Sequence, residues 1–515
     1  MEDDPADRAV PNRQLAKKCA MPLCDSPITP ERHLIYGTVR LFLAESLIFP
    51  TGLLTAAVLA RNLSPAGYGQ FTLAALFISW IEWMLPALFA RASVKLVGES
   101  QDWRPIGATI VQLYLVAGLV CAVLVSVFAG VIAGVLREPA LASSLRLFAW
   151  DIPIFACSYG HRNILVGRGK YASQSVVSSF RWTARLFLIV LFVEMNLSVT
   201  GAVAGSIGAS LVELAVARWF VRPPVLVRPG MPVRKLFAFA TPLFIAAISM
   251  RLFDRLDLFL LKVLGASAAQ IGYYGAAQNV ALAPNLLALS LAPLLLSTLT
   301  RLLRVGDSGS AFDIGQGAMR GVICLAPFVA AAAGAAPEIT EAVFGPQFLP
   351  ASLLIGPLVG GALALVMLSI GSAIVTAAGR PQWVLPVALP LPFVALAAHL
   401  IVIPRWGSVG AAIVTLTTAL IGAAVAMVQV YRLWRIHPSG ATVLRSVGIS
   451  VLVWTLCTKW SMPLSLLPLK LALATLVIAA AFFITGEFHV EDVTSRGRFG
   501  RQRVEIFEED PGELM

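Results

Sequence analysis

The chain has 515 residues, of which 58% are hydrophobic and only 13% charged, with a net charge of +11 and a mean hydropathy of +0.82. A soluble domain carries roughly a quarter charged residues, so this composition excludes a chain that could cover its own surface in water. The positive charge would suit nucleic acid as a partner, but it lies in short segments between apolar runs, as membrane insertion requires, and no nucleic-acid role is expected.

Residues 1–40 form a polar tail, and no small-residue cleavage site follows an early apolar run, so no cleaved leader is expected. Cys19, Cys24 and His33 lie in that tail, short of the four ligands that zinc usually takes. No metal site or cofactor is expected. Cys121, Cys157, Cys324 and Cys457 sit in apolar runs, where cysteine behaves as a small hydrophobe. Apolar runs of about 20 residues, bounded by charges, predict spans at 41–60, 70–92, 107–135, 141–166, 171–194, 199–220, 236–261, 270–299, 312–335, 350–378, 382–403, 408–431, 442–460 and 466–486. The expected fold is therefore an all-α polytopic membrane protein of about 14 transmembrane helices. If the N-tail is cytoplasmic, the inner segments hold about four times as many Lys and Arg as the outer loops, which predicts an inner-membrane protein with both termini inside.

Short patterns recur in order at separations of about 205–210 residues. Leu63-Ser-Pro-Ala-Gly67-Tyr68-Gly69 pairs with Leu264 and Ile271-Gly272-Tyr273-Tyr274-Gly275. Leu136-Arg-Glu-Pro139 pairs with Phe344-Gly-Pro-Gln347, and Arg168-Gly169-Lys170 with Ala378-Gly379-Arg380. Gly201-Ala-Val-Ala204 pairs with Gly410-Ala-Ala-Ile413. Each copy spans six helices, so the copies form a parallel repeat, with the substrate path between them. Singly, each residue is ordinary turn and interface chemistry: a Gly free to take positive φ, a Tyr at the membrane surface. The organisation expected is a polar tail at 1–40, six-helix bundles at 41–222 and 223–435, two further helices at 436–486 and a C-tail at 487–515. Both tails are expected to be disordered or to dock polysaccharide-assembly proteins.

Leu59-Ala-Arg-Asn-Leu63-Ser-Pro-Ala-Gly67-Tyr68-Gly69-Gln-Phe71, with Asp257-Leu-Phe-Leu-Leu261 and Gly272-Tyr273 in the second half, resembles the polysaccharide flippase (Wzx-type) branch of the multidrug/oligosaccharidyl-lipid/polysaccharide (MOP) exporter superfamily. The resemblance covers roughly 38–486. It implies two six-helix bundles that open alternately to each side, and a polyprenyl diphosphate glycan as cargo.

Ionisable groups in a bilayer core tend to face a cavity. Arg181 and Arg185 share a helix face, and guanidinium forks suit the diphosphate of such a cargo. Arg251, Asp254 and Arg255 share another face, with Asp257 following; they either line the cavity or pair with one another as a clamp. Arg91, His161 and Arg162 are further candidates, although Arg91 and Arg162 stand near span ends, where they can reach water. Glu82, Asp151 and Glu213 could couple transport to protons or sodium, or pair with the arginines. A cation antiporter of the same superfamily would favour an acidic, aromatic cavity. A glycan polymerase or transferase would need catalytic groups on outer loops, which hold little beyond Glu338 and Glu341. No Gly-Lys-Ser/Thr phosphate loop is present, so direct use of ATP is not expected.

Overall fold

The computed structural model describes residues 40, 43–100, 102–224, 256–460 and 462–487. Among them are helices and connecting turns, and no strand. In chain order the helices are α1 (Ile48–Asn62), α2 (Pro65–Glu99), α3 (Trp103–Val135), α4 (Leu141–Phe148), α5 (Asp151–Gly167), α6 (Tyr171–Phe192) and α7 (Ser198–Phe220). There follow α8 (Leu256–Val263), α9 (Ala268–Val305), α10 (Ser308–Ile323), α11 (Ala326–Gly334), α12 (Ala336–Phe344), α13 (Ser352–Ala377), α14 (Pro390–Trp434), α15 (Gly440–Lys459) and α16 (Leu467–Ile484). Among the described residues, ten helical stretches are long and apolar enough to cross a bilayer.

The helix starts are written in side chains. Ser64 accepts from Gly67 N, with Pro65 at the first helical position. Asp102 caps α3 through Arg104 N, and Ser267 opens α9 with a full capping box through Gln270. Each satisfies amides that a helix start leaves unpaired. Gly306, at φ 86°, closes α9, and Asp307 opens α10.

Two of the ten stretches, Tyr171–Phe220 with 50 residues and Pro381–Trp434 with 54, are far longer than the roughly 20 residues that a bilayer needs. Each is broken by a residue in backbone space that glycine favours: Ser198 at φ 47°, ψ −134° and Gly407 at φ 55°, ψ −136°. Ser198 and Gly407 have the same separation as Gly201 and Gly410, and those glycines sit just beyond the breaks. A methyl on Gly201 would lie 2.8 Å from the Phe192 carbonyl oxygen, and one on Gly410 2.9 Å from Val402. The turn glycines of the third motif pair, Gly169 and Gly379, also match, at φ 70° and 77°. Gly67, Gly69 and Gly272 differ from the turn reading: they lie inside α2 and α9 with ordinary helical φ, and Gly69 and Gly272 serve close packing instead.

Helices α1–α7 pack among themselves, chiefly α6 on α7, α3 on α5 and α2 on α5. Helices α8–α14 form a second group around α13, which lies between α9 and α14. The groups meet where α2 and α1 contact α9, and where α1 contacts α12. One apolar core runs through the first group into α8, the start of α9, α12 and the start of α13. A second fills the other half of the α8–α14 group. Helices α15 and α16 pack on α11 through a third core containing Cys324, Ile449, Val453, Cys457, Ile478 and Phe482.

Candidate functional site in the first helix group

Helix α6 carries Gln174, Ser178, Arg181 and Arg185 on one face, spaced at three, four and seven residues as a helical stripe requires. Helix α5 supplies Arg162, α7 supplies Glu213, and Glu45 precedes α1. Arg162 Nη1 lies 3.2 Å from Glu213 Oε1, and Arg181 Nη1 donates to Glu213 Oε2. The Glu213 side chain is 0% exposed. Arg162 Nη2 is 2.6 Å from Glu45 Oε1, which also accepts from Ser178 Oγ at 2.8 Å. With its amide turned so that oxygen faces Arg162, Gln174 accepts from Nε and Nη2 at 2.7 and 2.9 Å. The Arg181 guanidinium lies 4.4 Å from the Phe155 ring centroid, a cation–π position.

Glu82 on α2 and Asp151 at the start of α5 are both buried. They lie within electrostatic reach of each other and of Arg181 and Arg185. Ser210 of α7 adjoins Asp151. Glu82 Oε1, Asp151 Oδ1 and Arg185 Nε have no hydrogen-bond partner among the described residues. Buried polar atoms are normally satisfied by protein or ordered water, so this neighbourhood is where the first group can hold water or a ligand's polar atoms.

Thus Arg162, Arg181, Arg185, Glu82, Asp151 and Glu213 converge on one neighbourhood. His161 is separate: its Nδ1 is 2.8 Å from the Cys157 carbonyl oxygen. Asp257 lies in the second group, where its carboxylate accepts from Tyr274 Oη at 2.6 Å, Gln278 Nε2 at 3.1 Å, Thr415 Oγ1 at 3.3 Å and the Leu258 amide at 2.7 Å. These donors are neutral, unlike the arginines that the clamp reading supplied. Arg251, Asp254, Arg255 and the side chain of Arg91 lie outside the described residues. Gln174 and Ser178 were not anticipated, although their spacing from Arg181 was readable; Tyr274 and Thr415 reach Asp257 only through tertiary packing.

The family model described as polysaccharide biosynthesis protein matches residues 34–295. No curated protein sequence matches the chain. Among solved structures, the chain is similar to the lipid II flippase MurJ in an inward closed conformation, with a TM-score of 0.72 at 14% identity over 89% of this chain and 100% of that one. It is similar to an inward-facing multidrug-resistance MATE transporter of the MOP superfamily, at 0.61 and 13% over 81% and 99%. A Vibrio cholerae MATE transporter gives 0.57 and 14% over 78% and 97%. At these identities the likeness is one of fold, and the fold is that of MOP-superfamily transporters.

Proposed function

Because the chain belongs to the polysaccharide biosynthesis protein family, we propose that this multi-pass membrane protein is a flippase that moves a polyprenyl diphosphate glycan from the cytoplasmic to the outer leaflet by alternating access. It acts as a transporter rather than an enzyme, in the inner membrane, with both termini cytoplasmic. The observation that carries the reading is the arginine cluster inside an apolar helix group, with Arg185 Nε free of a hydrogen-bond partner among the described residues. Guanidinium forks pair with phosphate oxygens in fixed geometry. In this scheme Arg181 is held by Glu213, while Arg185 and the partly exposed Arg162 meet the diphosphate. Arg91, Arg251, Asp254 and Arg255 remain candidates for further cavity charge, while Asp257 and His161 would act away from the arginine cluster.

The fourteen-span topology, with two six-helix bundles, belongs to the same proposal. Its support is the paired break at Ser198 and Gly407 and the excess of Lys and Arg on alternate loops.

A second reading, a cation-coupled antiporter, draws on the juxtaposed carboxyls of Glu82 and Asp151. These acids, with Glu213, are the groups that could bind a coupling proton or sodium in either reading. Depleting the protein in its host and measuring lipid-linked oligosaccharides by mass spectrometry separates the two. Accumulated polyprenyl diphosphate glycan with loss of surface polymer is expected, and Arg185→Ala should fail to restore export. Unchanged lipid-linked pools, with no redundant exporter present, would leave the antiporter reading.

A further inference from the structure

We propose that the rim where α13 ends and α14 returns is a binding site for the phosphate of an anionic phospholipid, held by Arg380 and Arg435 with Arg432 and His437 beside them. It needs only a bilayer around the helices, whatever the cargo. Two stretches of chain build the rim. After α13, Gly379 takes φ 77° and turns the chain into the short 3-10 helix Pro381–Val384. There the Arg380 guanidinium lies 5.1 Å from the Trp383 ring centroid. At the end of α14, the Arg435 guanidinium lies 5.5 Å from the Tyr431 ring centroid, and the His437 ring stands 5.8 Å from the same tyrosine. Gln429 Nε2 donates to the Trp383 carbonyl oxygen at 2.7 Å, which sets the two stretches side by side. Trp434 packs on Phe312 of α10 with ring centroids 4.9 Å apart. Gln316 Nε2 donates to the His437 carbonyl oxygen at 3.2 Å, so the chain beyond α14 is held in place as well.

Three features select a lipid phosphate. The first is spare donors. Arg380, Arg432 and Arg435 are exposed, and among the described residues their side chains have no ion-pair or hydrogen-bond acceptor. Arg61, Arg162, Arg181, Arg320 and Arg445, by contrast, all donate to protein oxygens. A guanidinium that lays its face on a ring keeps its N–H edge free, and that edge matches phosphate oxygens in pairs. The second is the surface below. Ile421, Val425, Val428 and Tyr431, three or four residues apart on one helix face, are exposed and lead along α14 to Arg435. The other face, with Gly422, Ala423, Ala426 and Val430, is buried. A phosphate held at Arg435 would lay its acyl chains along the exposed stripe, which offers a free phosphate nothing. The third is the backbone. Arg435 occupies φ 57°, ψ 19°, a left-handed helix end where glycine is usual and another side chain is strained. Such strain clusters at ligand clamps, and here it accompanies the stacking of the guanidinium on Tyr431. Charge alone would not require this arrangement. A basic residue at a helix end orients membrane insertion and complements the helix dipole, and lysine serves both purposes. Stacking combined with a paired phosphate contact needs arginine.

The test uses the full-length protein in mild detergent with added dioleoylphosphatidylglycerol or dioleoylphosphatidylcholine. Native mass spectrometry reads the bound lipid, and apparent Tm reads its effect. The wild type should bind the phosphatidylglycerol several-fold more often than the phosphatidylcholine, and gain several degrees from it. Arg380→Gln with Arg435→Gln should remove most of that preference. Arg380→Lys with Arg435→Lys should lower it several-fold, although the charge is kept. Arg104→Gln with Arg304→Gln removes the same charge from exposed arginines that have no ring beneath them, and should leave the preference unchanged. If that pair weakens binding as much as the rim pair does, the lipid reads net charge and the site falls. It falls equally if the wild type does not distinguish the two lipids, or if the lysine variant binds as the wild type does. Undecaprenyl diphosphate, added in place of the phospholipid, probes the other source of phosphate. Loss of its binding with the two rim arginines, while phosphatidylglycerol binding is kept, would assign the rim to the cargo and overturn the phospholipid site.

Discussion

Glu213 accepts from two arginines that come from two other helices. No acid stands beside Arg181 and Arg185 along α6, and spacing along a helix reveals only what shares its face. The acids arrive from α7, α2 and α5, so charge balance is a tertiary property that no local pattern shows. The consequence separates two residues that look equivalent in sequence. Removing one partner of a buried ion pair leaves an uncompensated charge and costs about 3–5 kcal/mol. Glu213→Ala should therefore lower the thermal stability of the detergent-purified protein sharply, stranding Arg181. Arg185→Ala strips no ion-pair partner among the described residues, so it should cost less stability while abolishing export. Thermal aggregation measured beside glycan export decides this; equal destabilisation by both changes would place Arg185 among the structural residues.

The helices were legible as elements because apolar runs set their existence and capping residues set their ends. Composition alone does not fix the ends of the long stretches: α2 extends beyond the apolar run at 70–92 to Pro65–Glu99, its polar ends still helical. The segment 141–166 is divided between α4 and α5, because apolar composition does not mark a break at Ala149–Trp150. The breaks at Ser198 and Gly407 were legible only as a gap between two runs, yet they carry an energetic asymmetry. Both residues hold nearly the same φ and ψ, in a region that glycine enters freely and other residues at about 1–3 kcal/mol. Ser198→Gly should stabilise the protein by about 1 kcal/mol, and Gly407→Ala should destabilise it by about 1–3 kcal/mol. Opposite shifts in apparent Tm are the expected result; shifts of the same sign would mean that the two turns are not equivalent.

At the scale of the molecule, the last two helices are fixed at both ends. Lys470 Nζ lies 2.5 Å from Glu338 Oε1; Glu338, expected on an outer loop, stands in the first turn of α12 and has a structural partner. At the opposite end, Glu487 lies 2.6 Å from Arg320 Nε and 2.7 Å from Arg445 Nη1, and accepts from Thr442 Oγ1 at 2.5 Å. The C-tail was expected to begin at Glu487, but that residue is 1% exposed; its single charge beside a long polar segment looked like the start of the tail. Between the two clamps, a methyl on Gly334 would stand 2.8 Å from Cys457 Cβ, so α15 and α11 touch backbone to backbone. Burial opposes ionisation of Glu487, but the bonds from Thr442, Arg445 and Arg320, with the Arg320 charge, outweigh it and hold the carboxyl below the usual glutamate range. A carboxyl with a depressed folded-state pKa contributes stability above its unfolded value, about 4.3, and that contribution is lost as pH falls through the depressed value. Docking of α15 and α16 should therefore be insensitive to pH from neutrality down to about pH 5 and weaken only in stronger acid. Glu487→Gln should reproduce the acid state at pH 7, loosening the helix pair by about 1–2 kcal/mol, because both arginines are partly exposed and water screens them. Hydrogen–deuterium exchange over residues 440–487 reads this directly. The wild type should gain exchange only in strong acid, once intrinsic rates are corrected, while the glutamine variant should exchange faster throughout and show no such step. Identical exchange at pH 7 would mean that the apolar core around Val453 and Ile478 holds the pair without the clamp.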